Sequence, residues 1–177
     1  MKKAFLFLAG VAFVSCSSKD KSAEKQASTI VKTVSAEPYT PWVYKVDTDK
    51  ATSKHSYIAL AKATNKLNFA SPYDGGSTGT VMVKSVGKKN EVVLTIDKGK
   101  FVGGDEHPVS VKFDERFPIK FEATETSKDT PNVLTIEPSS RFIRKLKRSK
   151  KLIVQVEFYA SGYKEMEFDV RDLKWNH

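Results

Sequence analysis

The stretch Leu152-Ile153-Val154-Gln155-Val156-Glu157-Phe158-Tyr159-Ala160-Ser161-Gly162-Tyr163-Lys164-Glu165-Met166-Glu167-Phe168-Asp169-Val170 decides the fold. Leu152, Val154, Val156 and Phe158 recur at every second position, the period at which successive side chains of a strand return to one face. Ala160-Ser161-Gly162 interrupts the pattern, and Met166, Phe168 and Val170 resume it. Two alternating runs around a glycine-containing turn predict an antiparallel hairpin with one buried face.

The same period recurs upstream. Val92, Leu94 and Ile96 alternate with polar or lesser apolar residues; Val109, Val111 and Phe113 alternate with Ser110 and Lys112; Phe117, Ile119 and Phe121 alternate with Lys120 and Glu122. Further strands are predicted over 42–46, 67–70, 80–86 and 133–137. Residues 56–63 carry alanines that favour helix, but Tyr57, Ile58 and the β-rich context favour strand, and a strand is predicted there. Turn signals separate these runs, among them Pro72-Tyr73-Asp74-Gly75-Gly76, Gly87-Lys88-Lys89-Asn90, Gly103-Gly104 and Asp129-Thr130-Pro131-Asn132. Many short strands at this spacing predict a mainly β domain, an antiparallel β-sandwich of immunoglobulin-like or similar type, with a barrel as the related alternative. The domain is assigned to 42–177, a length that suits one core.

One short basic amphipathic helix is predicted after Pro138-Ser139-Ser140, which supply a start signal and an N-cap. Phe142, Ile143 and Leu146 then share one face. The opposite face and the exit carry Arg141, Arg144, Lys145, Lys147, Arg148, Lys150 and Lys151 with no acid among them. Together with Lys2 and Lys3 these account for the whole formal net charge of +9, so the rest of the chain is balanced. Excess charge on one short element points to anionic headgroups, lipopolysaccharide phosphates or an acidic protein. The competing reading is a solvated helix face that covers one end of the sandwich. Nucleic acid is not expected, because no basic groove interleaved with aromatics is present.

The amino terminus has a different character. Lys2 and Lys3 precede an uncharged run from Ala4 to Val14, and small residues surround Ser15 and Cys16, the pattern of a secretory signal. The run is too short to span a bilayer, which takes about 20 apolar residues. Residues 1–15 are read as the leader and 16–41 as a flexible tether rich in Ser, Lys, Ala, Thr and Glu. Phe13-Val14-Ser15-Cys16 resembles the lipobox of bacterial lipoproteins. The resemblance implies a diacylglycerol thioether on Cys16, and it would also remove the anomaly of one unpaired cysteine in an exported chain. Phe13 departs from the leucine the pattern prefers, so ordinary signal-peptidase cleavage is the alternative. Ser17 is not the aspartate that retains such proteins in the inner membrane, and the implied address is the outer membrane, on its periplasmic face or the cell surface.

Catalytic and metal patterns are weak. Gly75-Gly76-Ser77-Thr78-Gly79 fits G-x-S-x-G, but a nucleophile elbow needs a helix next, and Thr80-Val81-Met82-Val83 continues as β-branched strand. His55, His107 and His177 lack zinc-site spacing, Asp105-Glu106-His107 reads as a solvated turn, and Asp47 with Asp49 form a carboxylate pair on one strand face without a partner base. No catalytic residue, metal or cofactor is expected.

Trp42-x-Tyr44, Asn65-x-Leu67-x-Phe69, Pro72-Tyr73-x-Gly75-Gly76, Val109-x-Val111-x-Phe113-Asp114, Phe158-Tyr159-x-x-Gly162 and Phe168-x-Val170-x-x-Leu173-x-Trp175 together resemble a family of small exported bacterial lipoproteins with one β-domain, and more distantly the accessory β-domains of type VI secretion. The resemblance implies the fold and the address but no activity. The expectation is a non-catalytic, lipid-anchored binding or structural module. Alternatives are an immunity or exclusion lipoprotein that blocks a toxin or phage component, and a hydrolase acting through Ser77.

Overall fold

A computed structural model describes residues 39–102 and 107–177. The leader, Cys16 and the tether up to residue 38 lie outside the described residues, as do the Gly103-Gly104 turn signal, Asp105 and Glu106. The compact unit runs from Glu37 to His177. Its order is β1 (Trp42–Thr48), β2 (His55–Lys62), β3 (Gly79–Val86), β4 (Lys89–Ile96), β5 (His107–Phe113), β6 (Ile119–Glu125), β7 (Val133–Glu137), α1 (Ser139–Leu146), β8 (Lys151–Phe158) and β9 (Gly162–Asp169).

All pairings are antiparallel and make one nine-stranded sheet in the order β1-β2-β3-β4-β7-β6-β5-β8-β9. The domain is therefore mainly β with one short basic helix, and the sheet doubles over in the manner of a sandwich. The doubling is visible where its far ends meet. Ala63, one residue past β2, bridges Phe168 of β9, and the Thr64 N–H donates to the Glu167 carbonyl at 2.7 Å. Asn65 continues the ladder with its side chain, accepting from the Glu167 N–H at 2.9 Å and donating to the Glu165 carbonyl at 2.9 Å. The Trp42 indole N–H donates to the Val170 carbonyl at 3.2 Å.

Alternation dictates what the fold encloses. Val92, Leu94 and Ile96 of β4, Val109, Val111 and Phe113 of β5, Leu134 and Ile136 of β7, Leu152, Val154, Val156 and Phe158 of β8, and Met166 and Phe168 of β9 are buried in one cluster. Gly79 begins β3 against the Met166 side chain of β9, and a Cβ there would collide with the Met166 sulfur. Any larger residue there would force the Met166 side chain to shift. Because the core formed by the described residues lies within Glu37–His177, this unit has what a domain needs to fold alone.

The structure corrects four expectations. Residues 67–70 form no strand: Leu67 makes a single bridge with Ser77, two backbone hydrogen bonds of 2.8 Å, before Pro72 and the glycines turn the chain. Leu67 and Phe69 are buried all the same. Phe117 is not a core residue. The β5–β6 ladder stops at the Val111–Ile119 pair, so Phe117 sits in the turn beyond it and is 93% exposed. Asp49 lies past the end of β1, and its carboxylate accepts the Ala51 and Thr52 N–H groups at 2.8 and 2.9 Å, so it closes the β1–β2 turn rather than pairing with Asp47. These two backbone bonds, Thr52 first, hold the Asp49 carboxyl below its ordinary pKa. Finally, Pro138 occupies the N-cap position of α1 and offers no side-chain cap; Glu137 substitutes, its carboxylate accepting the Ser139 N–H at 3.0 Å.

Candidate functional site

α1 buries Phe142, Ile143 and Leu146. Phe142 anchors it: its ring meets Phe113 of β5 at 5.4 Å and Phe121 of β6 at 5.3 Å, both edge to face, the geometry aromatic quadrupoles favour. The helix consequently packs over β4 and β7, with the Phe142 ring reaching Phe113 of β5 and Phe121 of β6, and its polar side faces outward. Ser149 closes the exit, its hydroxyl donating to the Lys145 carbonyl at 2.9 Å.

The seven cations singled out from the sequence do not behave alike. Lys151 is paired with Glu167 at 2.7 Å, and that hydrogen bond raises its pKa. Lys147 donates to the Trp175 carbonyl at 2.6 Å and helps hold the carboxy-terminal segment. Arg141 lies over the Phe121 ring at 5.4 Å. Arg144, Lys145, Arg148 and Lys150 have no ion pair or side-chain hydrogen bond among the described residues. Among nearby carboxylates, Glu115 is paired with Lys112 at 2.9 Å, Asp169 with Arg171 at 2.8 Å, and Asp114 accepts backbone N–H groups, while Asp172 lies beside Lys150 and Arg171 in a neighbouring depression.

Arg144, Lys145 and Arg148 line a cleft of about 180 Å³ together with Ser149 and, from across the β5–β6 turn, Arg116 and Phe117, over a floor of Phe113 and Ile119. Two further depressions flank it and share Arg148; one includes Lys147, Lys150 and Asp172, the other Asn90, Ile143 and Arg144. Arg116 and Phe117 are not legible as site residues in the sequence. Arg116 is an isolated cation in a turn far along the chain from the helix, and only the pairing of β5 with β8 brings that turn to the helix exit.

This arrangement concentrates positive charge. Four cations around one small concavity, with no carboxylate among its lining residues to neutralise them, make a positive potential that water screens incompletely inside the cleft. Phe113, Phe117 and Ile119 add an apolar side.

The other candidates separate. Ser77 is 2% exposed, and its hydroxyl donates to the Lys98 carbonyl and accepts from the Lys98 N–H, both at 2.8 Å, so it is fully occupied in tying the loop to the segment after β4. His55 bonds Thr48 at 2.9 Å, His177 stacks on Tyr57 at 3.8 Å and His107 is buried in β5. Among the described residues no three His, Cys, Asp or Glu side chains gather as a metal site, and no helix is long and apolar enough to cross a membrane.

No protein-family model matches the chain, and neither a curated protein nor a solved structure is found to match it.

Proposed function

We propose that this chain is a non-catalytic binding module of a bacterial envelope, anchored by a lipid on Cys16, that meets an anionic envelope component or an acidic protein through the cations around the exit of α1. The observation that carries the reading is the cleft in which Arg116, Arg144, Lys145 and Arg148 converge with no carboxylate in its lining. A cation cluster that served only to solvate the helix would need no such convergence from two distant segments of chain. The anchor rests on the sequence pattern at Phe13-Val14-Ser15-Cys16, and an outer-membrane address on the serine that follows.

The test is binding of 37–177 to soluble polyphosphate, wild type against Arg144→Glu with Arg148→Glu. These two are preferable to a pair that includes Lys147, whose contact with Trp175 mixes stability into the result. Loss of binding with unchanged thermal unfolding supports the reading; unaltered binding rejects it. Mass spectrometry of the mature amino terminus tests the anchor separately, since an unmodified Cys16 would remove it.

A further inference from the structure

Phe117 stands at the mouth of the basic cleft, 93% exposed, beside Arg116 and opposite Arg144 and Arg148. A single exposed ring elsewhere on a surface would need no comment. Its position among guanidinium groups with no ion pair among the described residues is what matters. Resting on the reading of the cleft as an anion site, we propose that this mouth is a peripheral membrane contact: the guanidinium groups of Arg116, Arg144 and Arg148 hold the phosphate of an anionic phospholipid, and the Phe117 ring sits in the interface beside it.

Size, shape and chemistry favour a bilayer over an acidic protein as the occupant. The cleft, about 180 Å³, has room for a group of phosphate size, and the flanking depressions of about 440 and 470 Å³ that share Arg148 leave space beside it for the rest of a headgroup. A specific protein interface buries about 800 Å² on each partner around a packed apolar centre, whereas here one ring projects from among long cationic side chains. That combination of an aromatic with surrounding Lys and Arg is what an anionic interface rewards without shape complementarity. Guanidinium groups also match phosphate oxygens in pairs, which an ammonium cannot do.

The experiment is sedimentation of 37–177 with vesicles of phosphatidylcholine containing about a third phosphatidylglycerol, with pure phosphatidylcholine vesicles, soluble glycerol phosphate and soluble polyphosphate as separate arms. The expected result is binding to the anionic vesicles alone among the lipids, weakened about tenfold in Phe117→Ala and at least about thirtyfold in Arg144→Glu with Arg148→Glu, from the usual worth of an interfacial ring and of cations near a charged surface. Phe117→Trp should shift to bluer emission when vesicles are added, against Trp42 and Trp175, which are already buried. Polyphosphate binding should survive Phe117→Ala. Binding to polyphosphate without binding to anionic vesicles, or vesicle binding that Phe117→Ala leaves intact, overturns the membrane contact and leaves the anionic-partner reading standing. Saturation by glycerol phosphate at the affinity of the vesicles overturns it in favour of a free phosphate ester. Failure with every anion removes both.

Discussion

The carboxylate of Asp114 accepts the backbone N–H of Lys150 at 2.7 Å, across 36 residues of chain. The same oxygen accepts the Lys151 N–H at 2.9 Å, and the Asp114 N–H donates to the Lys151 carbonyl at 2.9 Å. One side chain thus fastens the β5–β6 turn, which carries Arg116 and Phe117, to the exit of α1, which carries Arg148. The backbone of Asp114 is left-handed at φ 53°, a conformation that Asp and Asn tolerate better than most residues. Asp114→Ala should lower stability by about 1 to 3 kcal/mol, because it unpairs two N–H groups and strains the turn. Asp114→Asn should cost less. Chemical denaturation measures both.

The hydrogen bond from Lys151, foremost, holds the Asp114 carboxyl below its ordinary pKa, with Lys150, Ser149 and the charge of Arg116 adding to it. A group whose folded pKa is depressed contributes stability that is complete above the unfolded value of about 3.9 and fades as pH falls through the lower folded value. Acid titration of the wild type should therefore show a loss of stability below about pH 4 that is smaller in Asp114→Asn.

Phe142 fixes where the cations stand. Its truncation to alanine should cost about 3 to 5 kcal/mol by leaving a void between α1, Phe113 and Phe121. Polyphosphate binding should weaken in the folded remainder, because an undocked helix no longer faces Arg116.

Gly79 and Met166 make a sterically coupled pair. Gly79→Ala should destabilise by about 1 to 3 kcal/mol as the new Cβ meets the Met166 side chain. Met166→Ala alone should cost about 2 to 5 kcal/mol, and the double variant less than the sum. An additive result would separate the two positions.

Ser77→Ala should lower stability by about 1 to 3 kcal/mol, because it strands the Lys98 N–H, and should leave polyphosphate binding as it was. A fluorophosphonate that labels reactive serines should leave Ser77 unmodified. Labelling would revive the hydrolase reading.

Local pattern was enough to place most strands, because a sheet with one buried face writes itself into every second residue. Leu134 and Ile136, Val109 and Val111, and Leu152, Val154, Val156 and Phe158 are buried as their alternation requires. The pattern misled where alternation ran past pairing, as at Phe117, and where buried side chains had no ladder beside them, as at Leu67 and Phe69. Burial and strand pairing are different conditions, and hydropathy reports only the first.

The candidate site divides along the same line. The cations of 141–151 were legible because they are contiguous. Contiguity could not distinguish Lys147 and Lys151, which hold the Trp175 carbonyl and Glu167, from Arg144 and Arg148, which have no such partner among the described residues.

By itself the sequence determined a mainly antiparallel β domain, one basic helix and where the excess charge lies, since each follows from residues near one another in the chain. Tertiary structure alone decided that Arg116 and Phe117 join Arg144 and Arg148 around one cleft. That meeting depends on β5 pairing with β8 and on Asp114 reaching the backbone of Lys150, contacts between residues far apart in the chain that no local pattern encodes.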